Sequence, residues 1–268
     1  MTPKSRTLEA LANERNVTAD SLLAKIRFIL KQNKPKKRYL SLIDGTSDVE
    51  FEVDCKSIGI IKNKYGSFYE YYFQINDNWI DYSVLIMTEN YDENHMPIFK
   101  QQDYLLTKFN SQCESQTLFG DKTCDCAEQL ALSLQLIAQR GEGMVIHVTR
   151  QEGRGKGLES KLDQLAICEL LDVDTVTGSL IRAELVEKLD TTKMGIQEAI
   201  DSRDFLGCVA LLKYFGAPNH ICLIMQTTTP SKSLPLTING YSCEIYKIQT
   251  EPTSSNRTHI EAKRKYFG

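Results

Sequence analysis

Three cysteines offer the clearest chemistry in the chain. Cys113 is followed, after ten intervening residues, by Cys124-Asp125-Cys126. Thiolates are strong zinc ligands, and a Cys-x-Cys pair on a turn presents two sulfurs to one ion. A third cysteine arriving from a nearby loop completes three protein ligands. A structural zinc normally takes four, whereas a catalytic zinc takes three and keeps a position for water. Zinc lowers the pKa of its bound water to roughly 7, which makes a nucleophile at neutral pH. The trio alone leaves both readings open, because His95, His147 or another distant group would close a four-ligand site.

A second stretch, Val148-Thr149-Arg150-Gln151-Glu152-Gly153-Arg154-Gly155-Lys156-Gly157-Leu158, reads as a strand, a glycine-rich turn and a helix start. Such a turn aims backbone N–H groups at an anion, assisted by the helix dipole. Arg150, Arg154 and Lys156 add positive charge, and Glu152 is a candidate magnesium ligand. A plain surface turn explains the same residues about as well. Asp201 and Arg203, two residues apart, read by themselves as a surface ion pair worth under ~1 kcal/mol. Lys108 and Lys232, each taken singly, read as solvated lysines.

The elements that must position these groups follow from periodicity. Residues 7–31 carry helical spacing, with a start at Thr18-Ala19-Asp20-Ser21. The basic run Lys34-Pro35-Lys36-Lys37-Arg38 reads as a linker. Residues 39–108 alternate apolar and polar in short runs (Tyr39–Ile43, Ser67–Phe73, Trp79–Met87), with turns at Asp44-Gly45, Tyr65-Gly66 and Asn76-Asp77-Asn78. Beyond residue 110, helices are predicted over Asp125–Arg140, Leu158–Leu171 and Phe205–Phe215, and strands over Met144–Val148 and His220–Met225. The fold class is therefore α/β in the mixed sense: an N-terminal helical extension, an antiparallel β-rich segment, then an α/β catalytic region. The expected division is 1–54 for the extension and linker and 55–268 for the catalytic domain.

Bulk properties exclude some partners. The chain has 268 residues and a net charge of −3, so no global basic field attracts nucleic acid or an anionic membrane. No apolar run reaches the roughly 18 residues of a membrane helix, and the polar N-terminus lacks a signal-peptide core. A cytoplasmic location follows as the expectation. There, Cys55, Cys168, Cys208, Cys222 and Cys243 read as small buried hydrophobes.

The combination SQCESQTLFGDKTCDCAEQL, then RQEGRGKGL, resembles the signature of GTP cyclohydrolase II. The likeness runs from Tyr65-Gly66-Ser67-Phe68 to near the C-terminus and leaves residues 1 to about 54 outside. That family opens the imidazole ring of GTP, releasing formate and pyrophosphate, as the first step toward riboflavin. The resemblance implies that Cys113, Cys124 and Cys126 hold one Zn2+ whose water attacks C8 of guanine. It implies Asp201 as general base and Arg203 as the group attacking the α-phosphate. Lys108, Ser111, Gln112, Gln129, Glu152, Gly153, Arg154, Thr175, Thr227 and Lys232 match substrate contacts. Mg2+ would accompany the triphosphate, and a homodimer is the family's usual state.

Four departures stand out. Leu165 occupies the place of a family tyrosine, and leucine has no O–H with which to assist hydrolysis. Asn110-Ser111-Gln112 replaces His-Ser-Glu, and Lys108 replaces an arginine, losing a bidentate fork. The segment Gly178–Ile200 is longer than usual and carries a helical stretch, Leu180–Leu189. Thr228-Thr229 stands where Asn-Asn is common. The expected activity is therefore ring opening of GTP with a diamino or formylamino product. The alternatives are hydrolysis of another nucleotide ring, or a GTP-binding regulator without turnover.

Overall fold

The computed structural model of the chain describes residues 7–30, 36–76, 80–100 and 104–268. Lys34 and Pro35 of the basic run, the Asp77-Asn78 turn and Trp79 lie outside the described residues. Helices α1 (Leu8–Glu14) and α2 (Ala19–Leu30) open the chain. Thr7 and Thr18 cap them, their hydroxyls accepting from the N–H groups of Ala10 and Ser21.

A meander of β1 (Lys37–Leu42), β2 (Asp48–Asn63), β3 (Gly66–Ile75) and β4 (Asp81–Met87) follows, each strand antiparallel to the next. Then come β5 (Leu105–Ser111), β6 (Gly143–Val148), β7 (His220–Met225) and β8 (Ser242–Lys247). These four pair in parallel in the order β6-β5-β7-β8. An antiparallel β4–β6 pair joins the halves into one eight-stranded sheet.

Helices fill the crossovers: α3 (Glu114–Phe119) and α4 (Cys126–Arg140) between β5 and β6, and α5 (Gly157–Leu171), α6 (Thr175–Leu185), α7 (Ile196–Ile200) and α8 (Leu206–Tyr214) between β6 and β7. After them come α9 (Pro230–Ile238) and α10 (Arg257–Phe267). The chain is thus mixed α/β.

β6 and β7 read as near-continuous apolar runs because both sheet faces are covered there. Val209, Leu211 and Phe215 of α8 and its end meet Tyr71, Phe73 and Ile146 on one face. Leu134 and Ile137 of α4 meet Leu106, Val145 and Ile224 on the other. A third cluster, built on Val176, Ala199, Ile200 and Ala262, ties α10 to α6 and α7.

Some expectations shift. Lys37 and Arg38, expected in a linker, belong to β1, where Arg38 pairs with Glu52 at 3.2 Å. The boundary expected after residue 54 falls inside β2. That strand bulges between Cys55 and Ser57, which breaks its two-residue alternation and hides it from periodicity. The helix expected over Leu180–Leu189 begins earlier, at Thr175, because Asp174 accepts from the N–H groups of Val176 and Thr177, and it ends at Leu185.

Helix α8 sits close on the sheet because Gly207 has no side chain: a Cβ there would lie 2.3 Å from Tyr82 Oη. Gly207→Ala should lower stability by about 1–3 kcal/mol, read as a fall in melting temperature. An unchanged melting temperature would mean that Tyr82 moves aside freely.

Candidate active site

The expected site residues gather at the C-terminal ends of β5, β6 and β7. The chain leaves β5 toward β6 on one side, then crosses back to β7 on the other. Such a reversal opens a crevice outside the carboxyl ends of the strands. From β5 come Asn110 and Ser111, then Gln112 and Cys113. From β6 comes the glycine-rich loop, and from β7 come Gln226 and Thr227.

The Sγ atoms of Cys113, Cys124 and Cys126 all lie within 4.8 Å of one another. Cys113 stands just before α3, and Cys126 is the first residue of α4. Gln116 braces the turn between them, donating to Cys124 O at 3.0 Å and accepting from Ala127 N at 2.5 Å. Lys161 on α5 donates to Cys113 Sγ at 3.0 Å. Hydrogen bonds with Cys124 and Cys126, joined by that ammonium, hold the Cys113 thiol far below its usual range, while Cys124 is pushed up by the same sharing.

Among the described residues no histidine, carboxylate or further cysteine joins the trio. The two candidates for a fourth ligand are engaged elsewhere. His147 Nδ1 lies 2.9 Å from Asn110 Nδ2, and His95 stacks on Tyr69. Three clustered thiols with a cation on one of them fit a three-coordinate zinc site with a position to spare.

Two cavities adjoin this cluster. Lys108, Gln129, Asp201, Thr227 and Lys232 line the first. Gln112, the three cysteines, Glu152, Gly153 and Thr175 line the second. Ser111, Cys126, Arg154 and Arg203 line both. Every site residue expected from the sequence therefore lines one or both of these adjoining cavities.

The first cavity is crowded with positive charge. Lys108 is 3% exposed, so the solvated-lysine reading fails for it. Burial, aided by Arg203, brings its pKa down to about 8 against the pull of Cys126 and Asp125. Lys232 donates to Phe109 O at 2.8 Å, and burial, then Lys108 and Arg203, push its pKa well below the ordinary lysine value. Burial and Arg203 bring Arg154 down to about 10. Arg203 grips Asp201 with two hydrogen bonds, of 2.8 and 2.6 Å. Burial alone would raise the Asp201 pKa, but those bonds and the Arg203 charge outweigh it and keep the carboxylate ionised.

The glycine-rich loop is docked on this pair through backbone. Ser202 N donates to Arg154 O at 2.8 Å. Gly155 has φ +89°, and a Cβ there would lie 2.7 Å from Arg203 N, so only glycine permits the approach.

In the second cavity, Ser111 Oγ, Gln151 Oε1 and Thr175 Oγ1 are buried without a hydrogen-bond partner. Buried polar atoms are nearly always satisfied, so each of these three has capacity for a hydrogen bond from whatever fills the cavity, water or ligand. Gln112 and Glu152 are partly spent on architecture: Gln112 Oε1 accepts from Arg150 N at 2.7 Å, and Glu152 Oε1 from Glu114 N at 3.2 Å. Leu165 lines the same cavity as the thiols. Tyr214 packs against Phe73, 5.0 Å between ring centres, in the apolar core.

Sequence reasoning missed Lys263 and Phe267, which also line the first cavity, and named Thr229 there only as a departure from the family pattern. Beneath it runs a polar chain. Lys108 donates to Gln129 at 3.4 Å, Gln129 to Gln226 at 2.7 Å, Gln226 to Thr250 at 2.8 Å, and Thr250 to Asp125 at 2.6 Å. No spacing rule joins residues so far apart along the chain.

Because metal affinity is coupled to folding, Cys124→Ser should abolish stoichiometric zinc binding and lower the melting temperature of zinc-loaded protein. Elemental analysis and a thermal melt check this. Retention of one zinc per chain would show that the trio is not the ligand set.

Residues 61–245 match the family model for GTP cyclohydrolase II. The chain is 26% identical over 264 residues to the monofunctional riboflavin biosynthesis protein RIBA 3, chloroplastic, of Arabidopsis thaliana, covering 97% of this chain and 43% of that protein. It is 31% identical over 183 residues to the riboflavin biosynthesis protein RibBA of Chlorobium phaeovibrioides, covering 66% of this chain and 40% of that protein. It is 28% identical over 211 residues to GTP cyclohydrolase-2 of Picrophilus torridus, covering 78% of this chain and 94% of that protein. The chain thus spans under half the length of the first two relatives and nearly all of the third. The model match spans most of the chain and includes both the thiol trio and the Asp201–Arg203 pair, and on that ground the chain belongs to the GTP cyclohydrolase II family.

Proposed function

We propose that this protein hydrolytically opens the imidazole ring of GTP and releases pyrophosphate. The carrying observation is that a three-thiol cluster and a cation-lined cavity share Arg154, Arg203 and Ser111 at their junction. One elongated ligand, with a reactive ring at one end and a polyanion at the other, fits that arrangement. GTP has this form, and relatives of this chain carry the GTP cyclohydrolase name.

Cys113, Cys124 and Cys126 would hold the zinc, which when bound supplies the Lewis acidity that activates water toward C8 of guanine. The remaining steps belong to this chain's side chains. Lys108, Lys232 and Arg154 neutralise the triphosphate, which Mg2+ accompanies. Asp201 orients the Arg203 guanidinium and accepts its proton as a guanidino nitrogen attacks the α-phosphorus. A P–N bond forms, the bond to the β-phosphate oxygen breaks, and pyrophosphate leaves. Water later cleaves the P–N bond and restores Arg203. Ser111, Thr175 and Gln129 position the nucleotide, and Gln112, Glu152 and Gly153 hold the loop that encloses it.

Hydrolysis of one C8–N bond leaves a formylamino pyrimidine, and hydrolysis of the second frees formate. Leu165 beside the thiols has no O–H for that second step, so the reading favours a formylated product. In riboflavin biosynthesis, named for two of the relatives, such a product requires a separate deformylating hydrolase. We place the catalytic unit in the part of the chain that contains the family-matched residues, acting as a homodimer. Among the described residues no helix is long and apolar enough to cross a membrane. The eight free cysteines fit a reducing compartment, which supports a cytoplasmic site of action.

Zinc-loaded protein given GTP and magnesium should release pyrophosphate in excess over formate, with a formylated pyrimidine identified by mass. Arg203→Ala should stop pyrophosphate release. Leu165→Tyr should raise the formate-to-pyrophosphate ratio by about tenfold or more, since a placed acid–base group contributes at least that much. Equal formate and pyrophosphate from the unaltered protein would show that another hydroxyl replaces the tyrosine, and unchanged GTP would sink the assignment.

The Lys108 pKa of about 8 gives a pH dependence. A bound triphosphate favours the charged form, so affinity holds below pH 8 and declines as pH rises through that value. Titrating GTP affinity from pH 7 to 9.5 should show the decline, and Lys108→Met should flatten it.

A further inference from the structure

The C-terminal helix α10 lies beyond the family-matched residues 61–245, and no role attaches to it so far. It is not a loose tail. Ile260 is fully buried, and Ala262 packs in the cluster with Val176, Ala199 and Ile200. This anchoring against α6 and α7 directs Lys263 and Phe267 at the site. Phe267 lines the first cavity, and its ring centre lies 4.9 Å from the Arg154 guanidinium carbon. Lys263 lines both cavities, as only residues at the junction do.

The surroundings of Lys263 leave it donors to offer. Among the described residues its hydrogen-bond partner is Asp125 Oδ1, at 3.5 Å, which is long for a charged hydrogen bond. Thr250 bonds the other oxygen of the same carboxylate at 2.6 Å, so Asp125 is held without drawing on more than one of the Lys263 donors. An ammonium has three donors, so at least two remain for a ligand. Five cations line the first cavity (Lys108, Arg154, Arg203, Lys232 and Lys263), and the sole carboxylate among its lining residues, Asp201, is committed to Arg203.

We propose that Lys263, carried by α10, contacts the phosphate nearest the ribose of the bound nucleotide. The inference rests on the proposed function. If the base lies toward the thiols and the outer phosphates lie toward Lys108 and Lys232, the ribose and α-phosphate occupy the junction where Lys263 stands. The contact makes α10 a wall of the site and gives the helix a binding role.

The test compares Lys263→Met, Lys263→Arg and the unaltered protein, all zinc-loaded. The dissociation constants of GMP, guanosine and inorganic pyrophosphate are measured by calorimetry, and zinc content by elemental analysis. A charged hydrogen bond lost to Met should weaken GMP binding about tenfold or more. Guanosine and pyrophosphate should change less than about twofold, Lys263→Arg should recover most of the loss, and zinc should stay at one per chain. Unchanged GMP affinity would overturn the inference. So would an equal loss for guanosine, which marks a structural role, a loss confined to pyrophosphate, which moves the contact to the outer phosphates, or a loss of zinc, which marks a role in holding the Asp125 turn. If the unaltered protein neither turns over GTP nor binds GMP, the functional reading itself fails and this contact falls with it. Turnover of GTP together with unchanged GMP binding in Lys263→Met defeats the contact alone.

Discussion

Burial of like charge is the constraint to which the rest of this structure answers. Lysines and arginines brought together out of water depress one another's pKa values and gain nothing from the protein core. Here Lys108, Arg154 and Lys232 are all pushed down, and Asp201 answers only Arg203 directly. Such an arrangement persists because the surrounding fold over-determines it. β5 is covered on both sides, α8 is locked onto the sheet through Gly207, and the glycine-rich loop is fixed to Ser202 and Arg203 by backbone. Stability forgone at the cavity is supplied by the apolar clusters on the two sheet faces. A polyanion entering the cavity meets charges that need no reorganisation, the condition under which electrostatic binding and catalysis work best.

The thiol cluster and the charged cavity are not independent. Asp125, between two of the thiols, is buried and bonded to Thr250 and Lys263. From Thr250 the polar chain returns through Gln226 and Gln129 to Lys108. The turn that carries two of the three thiols is thus held by the same hydrogen bonds that run along the cation-lined cavity. Asp125 stands at the start of α4 yet does not cap it. Its carboxylate is spent on the network, where it offsets the charge of Lys263.

Much of this was legible in the residues. The alternation of helix and strand after residue 110 and the short antiparallel runs before it both follow from local pattern. The trio is legible because its three members are close in sequence and chemically distinctive. Other features escaped for physical reasons. The bulge in β2 resets alternation, and β5 carries Thr107, Lys108 and Asn110 into the interior, where a pattern reading expects apolar groups. Lysines read as solvent-facing by default, so the burial of Lys108 came only with the structure. Lys263 and Phe267 reach the site from a polar C-terminal helix whose link to it is purely tertiary.

The topology also orders events in time. The meander β1–β4 pairs neighbours and can zip from local contacts as it emerges from the ribosome. β5, however, takes its second parallel partner only when β7 arrives, past the whole α5–α8 crossover, and loop closure of that length is slow. The thiols of Cys113, Cys124 and Cys126 are all synthesised long before. The three cysteines therefore exist as a local sequence cluster well before the cavity is complete, but the turn that carries Cys124 and Cys126 gains its Asp125–Thr250 bond only after β7 has been made.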